Sequence, residues 1–385
     1  MRKEFLVFGS PLIEQAEIDE VVASMRSGWL GTGPKVAAFE QAFAQYKGCS
    51  DAIALNSCTA ALHVALLTIG IQPGDEVILP TMTFAATANA VVHAGGIPVF
   101  VDCDRRTFNI EAEKIARCVS PKTKAIIPVH FAGRPCDMDT IMTIAGKNGL
   151  FVIEDCAHAI EAEYRGRKVG TIGDIGCFSF HATKNITTGE GGMLVTENED
   201  IAAQAKILSM HGLSQNAWQR YNDDGFKHYD IVSSGFKYNM MDLQAAIGIH
   251  QLKRIESRWR RRQEIWQAYC LAFERLPVET PVAADDGTRP AYHLFTLLLE
   301  TGSGAQTRDG FLDAMQRRNI GVGVHYVALH LHPYYQRAFG YKVGDFPDAE
   351  WVSERTVSLP LSPKLSQSDV ADVIDAVRDC VAPRA

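Results

Sequence analysis

The stretch FSFHATKNITTGEGGMLVT, residues 178–196, determines how the rest of the chain is interpreted. It joins two short apolar runs, 176–180 and 192–195, which predict buried strands. Lys184 lies between these strands, ahead of a glycine-rich turn, so partial burial is expected. Burial lowers the pKa of a lysine and allows its amine to form a Schiff base. A lone lysine is more often solvated, and that alternative stays open here.

The chain before and after this stretch repeats one pattern. Further apolar runs predict strands at 51–55, 76–80, 98–101, 124–129 and 150–153. Helical periodicity lies between them, at 60–69, 87–93 and 137–148. Strands that alternate with helices predict an α/β fold with a mostly parallel sheet covered on both faces.

The composition changes after residue 250. A charged helix is predicted at 251–273, and its arginines are expected to form a solvated face instead of a nucleic-acid contact, because the chain is acidic overall. A linker loop is expected at 281–290. The remaining predictions are a strand at 293–300, a helix at 308–318, a strand at 321–326 and a helix at 367–381. The chain is therefore divided into a large α/β domain, 1–250, and a smaller α+β domain, 251–385.

Composition excludes several classes of protein. The 385 residues carry 38 basic and 45 acidic side chains, for a net charge of −7, which gives no general attraction to nucleic acid or anionic membrane. Nine scattered cysteines without a CxxC pair argue against a zinc ribbon or a disulfide scaffold. Two long uncharged stretches contain turn residues, so no membrane span is expected. We expect a cytoplasmic protein.

Common catalytic motifs are missing from the sequence. It contains no GxGxxG after a strand, no P-loop, no GxSxG and no HExxH. Three histidines, His325, His330 and His332, are close in sequence, but no carboxylate cluster accompanies them. No metal site is therefore predicted.

The ends of the predicted strands carry the remaining candidates, because ligands bind beyond the carboxyl ends of parallel strands. Asp155 follows one strand and Lys184 follows another, while the turn at 57–60 leads into the start of a helix. Pyridoxal phosphate (PLP) needs a lysine for its aldehyde, an acid for its pyridine nitrogen and a phosphate site such as a helix N-terminus. Asp155 could instead be only a helix cap.

Several longer segments carry a family resemblance. They are SGWLGTGPKVAAFE (27–40), ALNSCTAALH (54–63), GDEVILPTMTFAATANAV (74–91), IIPVHFAGRPCDMD (126–139), VIEDCAHAI (152–160), FSFHATKNITTGEGGMLVT (178–196), GFKYNMMDLQAAIGIHQL (235–252), GVGVHYVALHLHPYY (321–335) and SERTVSLPL (353–361). Together they resemble the sugar aminotransferases of the DegT/DnrJ/EryC1/StrS family. The resemblance implies the PLP-dependent transferase fold type I, which is the aspartate aminotransferase type. FSFHATKNIT and EDCAHA are most similar to the enzymes that make UDP-4-amino-4-deoxy-L-arabinose.

The resemblance also implies a role for each matching residue. Lys184 would hold the cofactor as an internal aldimine and then act as general base and acid, and Asp155 would pair with the pyridine nitrogen. Further cofactor contacts would come from Thr59, the Ala60 amide, Phe84, His158, Ser179 and, across a homodimer interface, Asn239. Candidates for contacts with the nucleotide-sugar are Trp29, His181, His325 and Tyr326.

The resemblance implies ping-pong transamination from an amino acid, expected to be L-glutamate, to a nucleotide-linked keto-sugar at C4, through PLP and its amine form PMP. Lys184 argues against the dehydratases of the same family, because the resemblance implies that those enzymes have histidine at this position. Three alternatives remain: a 3-keto-sugar aminotransferase, a non-catalytic nucleotide-sugar or PLP-binding protein, and a PLP-binding regulator. A regulator would need a DNA-binding domain, for which no length is spare.

Overall fold

The computed structural model describes residues 2–214, 229–300 and 307–381. The strands are β1 Asp51–Leu55, β2 Glu76–Pro80, β3 Ile97–Val101, β4 Thr123–Ile126, β5 Phe151–Asp155, β6 Glu163–Tyr164, β7 Arg167–Lys168, β8 Ile175–Ser179, β9 Gly192–Thr196, β10 Val278–Glu279, β11 Thr288–Arg289, β12 Phe295–Leu299 and β13 Thr356–Leu359. The α-helices are α1 Gln15–Ser27, α2 Pro34–Lys47, α3 Cys58–Thr68, α4 Ala85–His93, α5 Ala112–Ile115, α6 Met138–Asn148, α7 Glu199–Ser209, α8 Asp242–Lys253, α9 Ile255–Phe273, α10 Arg308–Arg317, α11 Pro333–Phe339, α12 Pro347–Arg355 and α13 Gln367–Val381.

The main sheet has seven strands in the order β1-β9-β8-β5-β4-β2-β3. The strands from β8 to β3 run parallel, whereas β9 is antiparallel to both of its neighbours. Residues that alternate along a strand belong to different apolar clusters: Val152 packs in one and Ile153 in the other. Because successive side chains point to opposite faces, both faces of the sheet are buried, as the α/β prediction requires.

A second layer follows in the C-terminal part of the chain. Strands β10, β12 and β13 form a three-stranded antiparallel sheet, and residues of α9, α10 and α13 complete its apolar cluster. The N-terminal segment also contacts this part, because Leu6 forms a parallel bridge with Ile320 and Arg2 forms ion pairs with α13. The predicted boundary at residue 250 lies inside α8, and the division into two domains stays a prediction.

Several predicted elements differ from the structure. The helix expected at 251–273 is the end of α8 followed by α9, with Arg254 between them. The strand expected at 321–326 is reduced to a single bridge between Gly323 and Ser358. The basic helix is not a fully solvated face: Arg258 and Arg262 are buried, because acidic side chains from other elements pair with them. Within the described ranges, no helix is both long and apolar enough to cross a membrane.

Candidate active site

The order of the sheet brings the predicted lysine and acid to one edge. Asp155 ends β5, and its Cα pairs with that of Cys177 on the parallel strand β8. Lys184 follows β8 in a short loop, and its amide donates a hydrogen bond to the His181 carbonyl. Lys184 and Asp155 interact electrostatically, so the structure brings these two groups together.

Asp155 is a buried carboxyl with a defined set of donors. Its Oδ2 accepts a hydrogen bond from Thr87 Oγ1 at 2.8 Å, and its Oδ1 accepts one from the Ala157 amide at 3.1 Å. Burial raises the pKa of Asp155, and these bonds together with Lys184 only partly offset the rise. A neighbouring cation stabilises the ionised form of such a buried carboxyl, and a protonated pyridine nitrogen would be a cation of this kind.

Thr87 belongs to a short chain of hydroxyls. Thr83 Oγ1 lies 2.9 Å from Thr87 Oγ1, and both side chains are buried. Because Thr87 gives its proton to Asp155, Thr83 must donate to Thr87. Asp155 is therefore held by Thr87 in the first turn of α4 and, through it, by Thr83 just before the helix. Thr87 was not among the residues predicted from the sequence, although its spacing of four residues from Thr83 was a signal for it.

Lys184 is half-buried, and among the described residues none accepts a hydrogen bond or forms an ion pair with its Nζ. Burial lowers the pKa of Lys184 to about 8, against the opposing influence of Cys58 and Asp155. Lys47 is also buried, with a pKa lowered by burial to about 8, but its Nζ donates to the Ile160 carbonyl and lies over the Phe178 ring. Of these two lysines, Lys184 is thus the one whose amine has no hydrogen-bond partner among the described residues.

Ser179 and the start of α3 converge on Gly192. Gly192 is the Cα partner of both Ser179 on β8 and Leu55 on β1. A Cβ on Gly192 would lie 2.4 Å from the carbonyl of Ser57, so only glycine allows the helix start to come this close. The Ala60 amide donates to Ser57 Oγ at 3.1 Å, whereas the described residues supply no acceptor for the amides of the two residues before it, Cys58 and Thr59.

His158 and Tyr326 lie against each other and near Phe84. His158 Nε2 lies 3.1 Å from the Tyr326 hydroxyl, and the ring of Tyr326 lies 5.9 Å from that of Phe84. Phe84 is 61% exposed at the start of α4, which leaves its ring available to stack on a ligand. Burial lowers the pKa of His158 well below its usual range, with further lowering by the charge of Lys184.

Of the residues predicted to contact the substrate, His325 and Tyr326 lie side by side, whereas Trp29 lines a different cavity. His325 lies beside Tyr326, bonded to Ser358 Oγ at 2.8 Å, and burial together with Lys184 lowers its pKa to about 4. His181 is exposed, with Nδ1 2.9 Å from Thr183 Oγ1.

Trp29 and Asn239 are not brought to Lys184. They line a separate cavity of about 1200 Å³, whose described lining includes Thr32 and Lys237 but neither Lys184 nor Asp155. Asn239 Nδ2 donates to Thr32 Oγ1 at 2.6 Å, while its Oδ1 is buried without a partner in the described part of the chain.

A buried cluster behind Asp155 has the composition of a metal site but is internally satisfied. It consists of His130, Glu154 and Cys156. The Cys136 amide donates to His130 Nδ1, so the Nε2 proton goes to Glu154 at 3.0 Å. Glu154 also accepts three backbone amides from the 170–173 turn. These ring nitrogens and carboxylate oxygens already have partners within the protein.

The donor set fits PLP. The unpartnered amine of Lys184, the buried acid Asp155 and the two amides at the start of α3 without an acceptor among the described residues would suit its aldehyde, its ring nitrogen and its phosphate. When bound, PLP acts as the electron sink for amine transfer. Fold and site therefore define a PLP-dependent aminotransferase of fold type I.

The comparisons with known proteins agree. Residues 11–378 match the DegT/DnrJ/EryC1/StrS aminotransferase family, and the chain belongs to that family. It is 50% identical to the spore coat polysaccharide biosynthesis protein SpsC of Bacillus subtilis, over 99% of this chain and 98% of the relative.

Solved structures give the same result. A Streptococcus pneumoniae protein, Spr1654, assigned as a sugar aminotransferase and solved in PLP and PMP forms, matches with a TM-score of 0.91 and 32% identity over 98% of each chain. Helicobacter pylori PseC, an aminotransferase of pseudoaminic acid biosynthesis, matches with a TM-score of 0.90 and 26% identity over 98% of this chain and 99% of that chain. The protein is thus a PLP-dependent sugar aminotransferase, which removes the non-catalytic alternatives.

Proposed function

We propose that the protein transfers the amino group of L-glutamate to C4 of a nucleotide-linked keto-sugar, with a UDP-linked 4-keto-pentose as the first substrate to test. Glutamate leaves as 2-oxoglutarate, and the sugar carbonyl becomes an amine. The similarity of FSFHATKNIT and EDCAHA to the arabinose enzymes supports the choice of sugar. Acidic composition and free cysteines support a cytoplasmic location.

Each half of the reaction needs a proton moved at the substrate carbon. Lys184 is suited to this role, because a group with a pKa of about 8 can take up and return a proton near neutral pH. Asp155, held by Thr87 and the Ala157 amide, would keep the ring nitrogen protonated. Phe84 would cover one face of the ring, and His158 would contact the hydroxyl side of the ring, with the Tyr326 hydroxyl beside it.

The large cavity beside Trp29 is the observation that carries the nucleotide-sugar assignment. Its volume of about 1200 Å³ exceeds what an amino acid needs and suffices for a nucleotide-linked sugar. Trp29 is 41% exposed and offers a face for a base, while Lys237 offers a cation for a diphosphate. Because this cavity lies away from Lys184 of the same chain, it would hold the nucleotide of a substrate whose sugar reacts in the other subunit of the homodimer proposed below, where His325 and Tyr326 would contact the sugar beside Lys184.

We further propose that the active unit is a homodimer. Helix α1 exposes Ile18, Val22 and Met25, which share one face by their spacing, and its start and end continue into further exposed apolar residues, Ile13, Trp29 and Leu30. A patch of this kind marks a protein interface. The unpaired Oδ1 of Asn239 and its place away from Lys184 support a role at the partner's site.

The substrate is tested by supplying the purified holoenzyme with L-glutamate and, separately, UDP- and dTDP-linked 3-keto- and 4-keto-sugars. NMR of the product locates the new amine. The proposal predicts amination at C4 of a nucleotide-linked sugar, with 2-oxoglutarate released in equal amount. Amination at C3 would favour the 3-keto-sugar alternative instead, and turnover of a free sugar with no preference for the nucleotide would contradict the assignment.

The oligomeric state and the cavity are tested with one pair of variants. Met25→Glu places a charge in the exposed face of α1 and should shift the sedimentation of the protein from dimer to monomer. Trp29→Ala should raise the KM for the nucleotide-sugar at unchanged KM for glutamate. A monomeric wild type with full activity would contradict the shared site.

A further inference from the structure

The hydrogen-bond donors around His158 determine which of its ring nitrogens carries the proton. The Ala132 amide donates to Nδ1 at 3.2 Å, so Nδ1 is the acceptor. The proton is therefore on Nε2, which donates to the Tyr326 oxygen at 3.1 Å. Because the Tyr326 oxygen accepts this bond, its own O–H remains free to donate to a ligand.

A second buried histidine, His293, is fixed in the same way. Asn185, the residue after Lys184, donates through Nδ2 to Glu161 at 2.7 Å and to the Ala291 carbonyl at 3.0 Å. Its Oδ1 is thereby left to accept from His293 Nδ1 at 2.9 Å. The proton of His293 is on Nδ1, where Asn185 holds it.

His158 and His293 contact each other through their rings, and both are hydrogen-bonded to the backbone of Ala132. The ring centroids of His158 and His293 are 4.5 Å apart. The His293 amide also donates to the Ala132 carbonyl at 3.0 Å, and Ala132 has the left-handed φ of 54°. His293 thus covers the His158 ring and holds the same residue whose N–H determines the position of the His158 proton.

We propose that His293, anchored by Asn185, is a positioning residue that keeps His158 neutral, with its single proton on Nε2. His158 would then keep donating to the Tyr326 oxygen across the working pH range, so that the free O–H of Tyr326 points to the hydroxyl side of PLP. The inference rests on the PLP site and not on the identity of the sugar, so its failure would leave the proposed substrate untouched.

The charged and titratable groups around His158 agree with a neutral ring. Burial lowers its pKa well below the usual range, and Lys184, His293 and His325 lower it further. Tyr326 faces it as a neutral hydroxyl, because burial raises the pKa of that phenol. In the part of the chain that the structure describes, no carboxylate forms an ion pair with His158. Removal of the covering ring would admit water and return the pKa of His158 toward its ordinary value.

The test is a pH titration of the visible absorbance of the holoenzyme from pH 5 to 9. His293→Ala should add a transition with a midpoint at about 6.5, the ordinary histidine value, which wild type lacks. The double variant His293→Ala/His158→Gln should lose that added transition, because glutamine donates without titrating. His63→Ala is the matched control, since His63 is another buried histidine, bonded to Tyr238 and in edge-to-face contact with Phe236.

An absorbance titration of His293→Ala that follows wild type would overturn the proposal, as would an added transition that survives in the double variant or also occurs in His63→Ala. If His293→Ala does not retain PLP, NMR of ¹³C-labelled histidine in the PLP-free protein makes the same comparison. The His158 signal, identified by its loss in His158→Gln, should stay neutral down to about pH 5 in wild type and titrate near 6.5 in His293→Ala. Equal titration in both proteins would contradict the positioning role.

Discussion

Replacing Thr87 by valine should raise the pH below which the protein loses affinity for PLP, which we call the acid limit of PLP binding. Valine keeps the shape of threonine but removes the hydroxyl that donates to Asp155 Oδ2 at 2.8 Å. That bond favours the ionised carboxylate, so its loss raises the pKa of Asp155. Burial already raises this pKa, and Asp155 must be ionised to pair with a protonated pyridine nitrogen.

The size of the shift follows from the energy of the bond. A hydrogen bond to a charged group contributes about 1.5–3 kcal/mol. One pKa unit corresponds to about 1.4 kcal/mol, so the acid limit should move upward by about 1 to 2 units. Above this limit the affinity for PLP should change little, because Asp155 is again ionised.

The assay is the dissociation constant of PLP, measured by absorbance from pH 5 to 9 on the PLP-free protein. Thr83→Val is the graded control: Thr83 donates to Thr87 and not to Asp155, so its shift should be less than half as large. The reasoning is refuted if Thr87→Val folds normally and its acid limit coincides with that of wild type, or if Thr83→Val shifts it as far.

Three further predictions concern other parts of the site. Lys184→Ala should lower transamination by about 10²–10⁴-fold or more, measured with glutamate and any accepted keto-sugar, at unchanged thermal stability. Gly192→Ala should weaken PLP binding by about tenfold or more and pyridoxal binding far less, because the new Cβ would displace Ser57 at the phosphate side; equal losses would contradict this. Glu161→Gln should cost about 3–5 kcal/mol in urea unfolding, since Arg262 is left buried and unpaired, and Glu161→Gln/Arg262→Met should recover part of the loss.

The fold and the centre of the site could be predicted from the sequence because both depend on local patterns. Apolar runs predict the strands, and the carboxyl ends of two neighbouring strands indicate Asp155 and Lys184. The family resemblance then named Phe84 and His158, which the structure places near Tyr326.

The supporting contacts could not be predicted, because they join residues far apart in the chain. Asn185 and His293 are separated by 108 positions, and Glu161 and Arg262 by 101. The hydrophobic periodicity of the sequence does not indicate which distant residues pair. The same limit explains the error on the basic helix: charge alone suggested solvent, whereas Arg262 is buried because its partner comes from another element.

The most direct test of the central claim is to identify the lysine that holds PLP. The holoenzyme is reduced with borohydride and digested, and the modified peptide is identified by mass spectrometry. Lys47 is the natural comparison, because burial lowers its pKa to about 8 as well, but its Nζ is engaged with Ile160. The account predicts that the label is on Lys184. A label on Lys47 or any other lysine would contradict it.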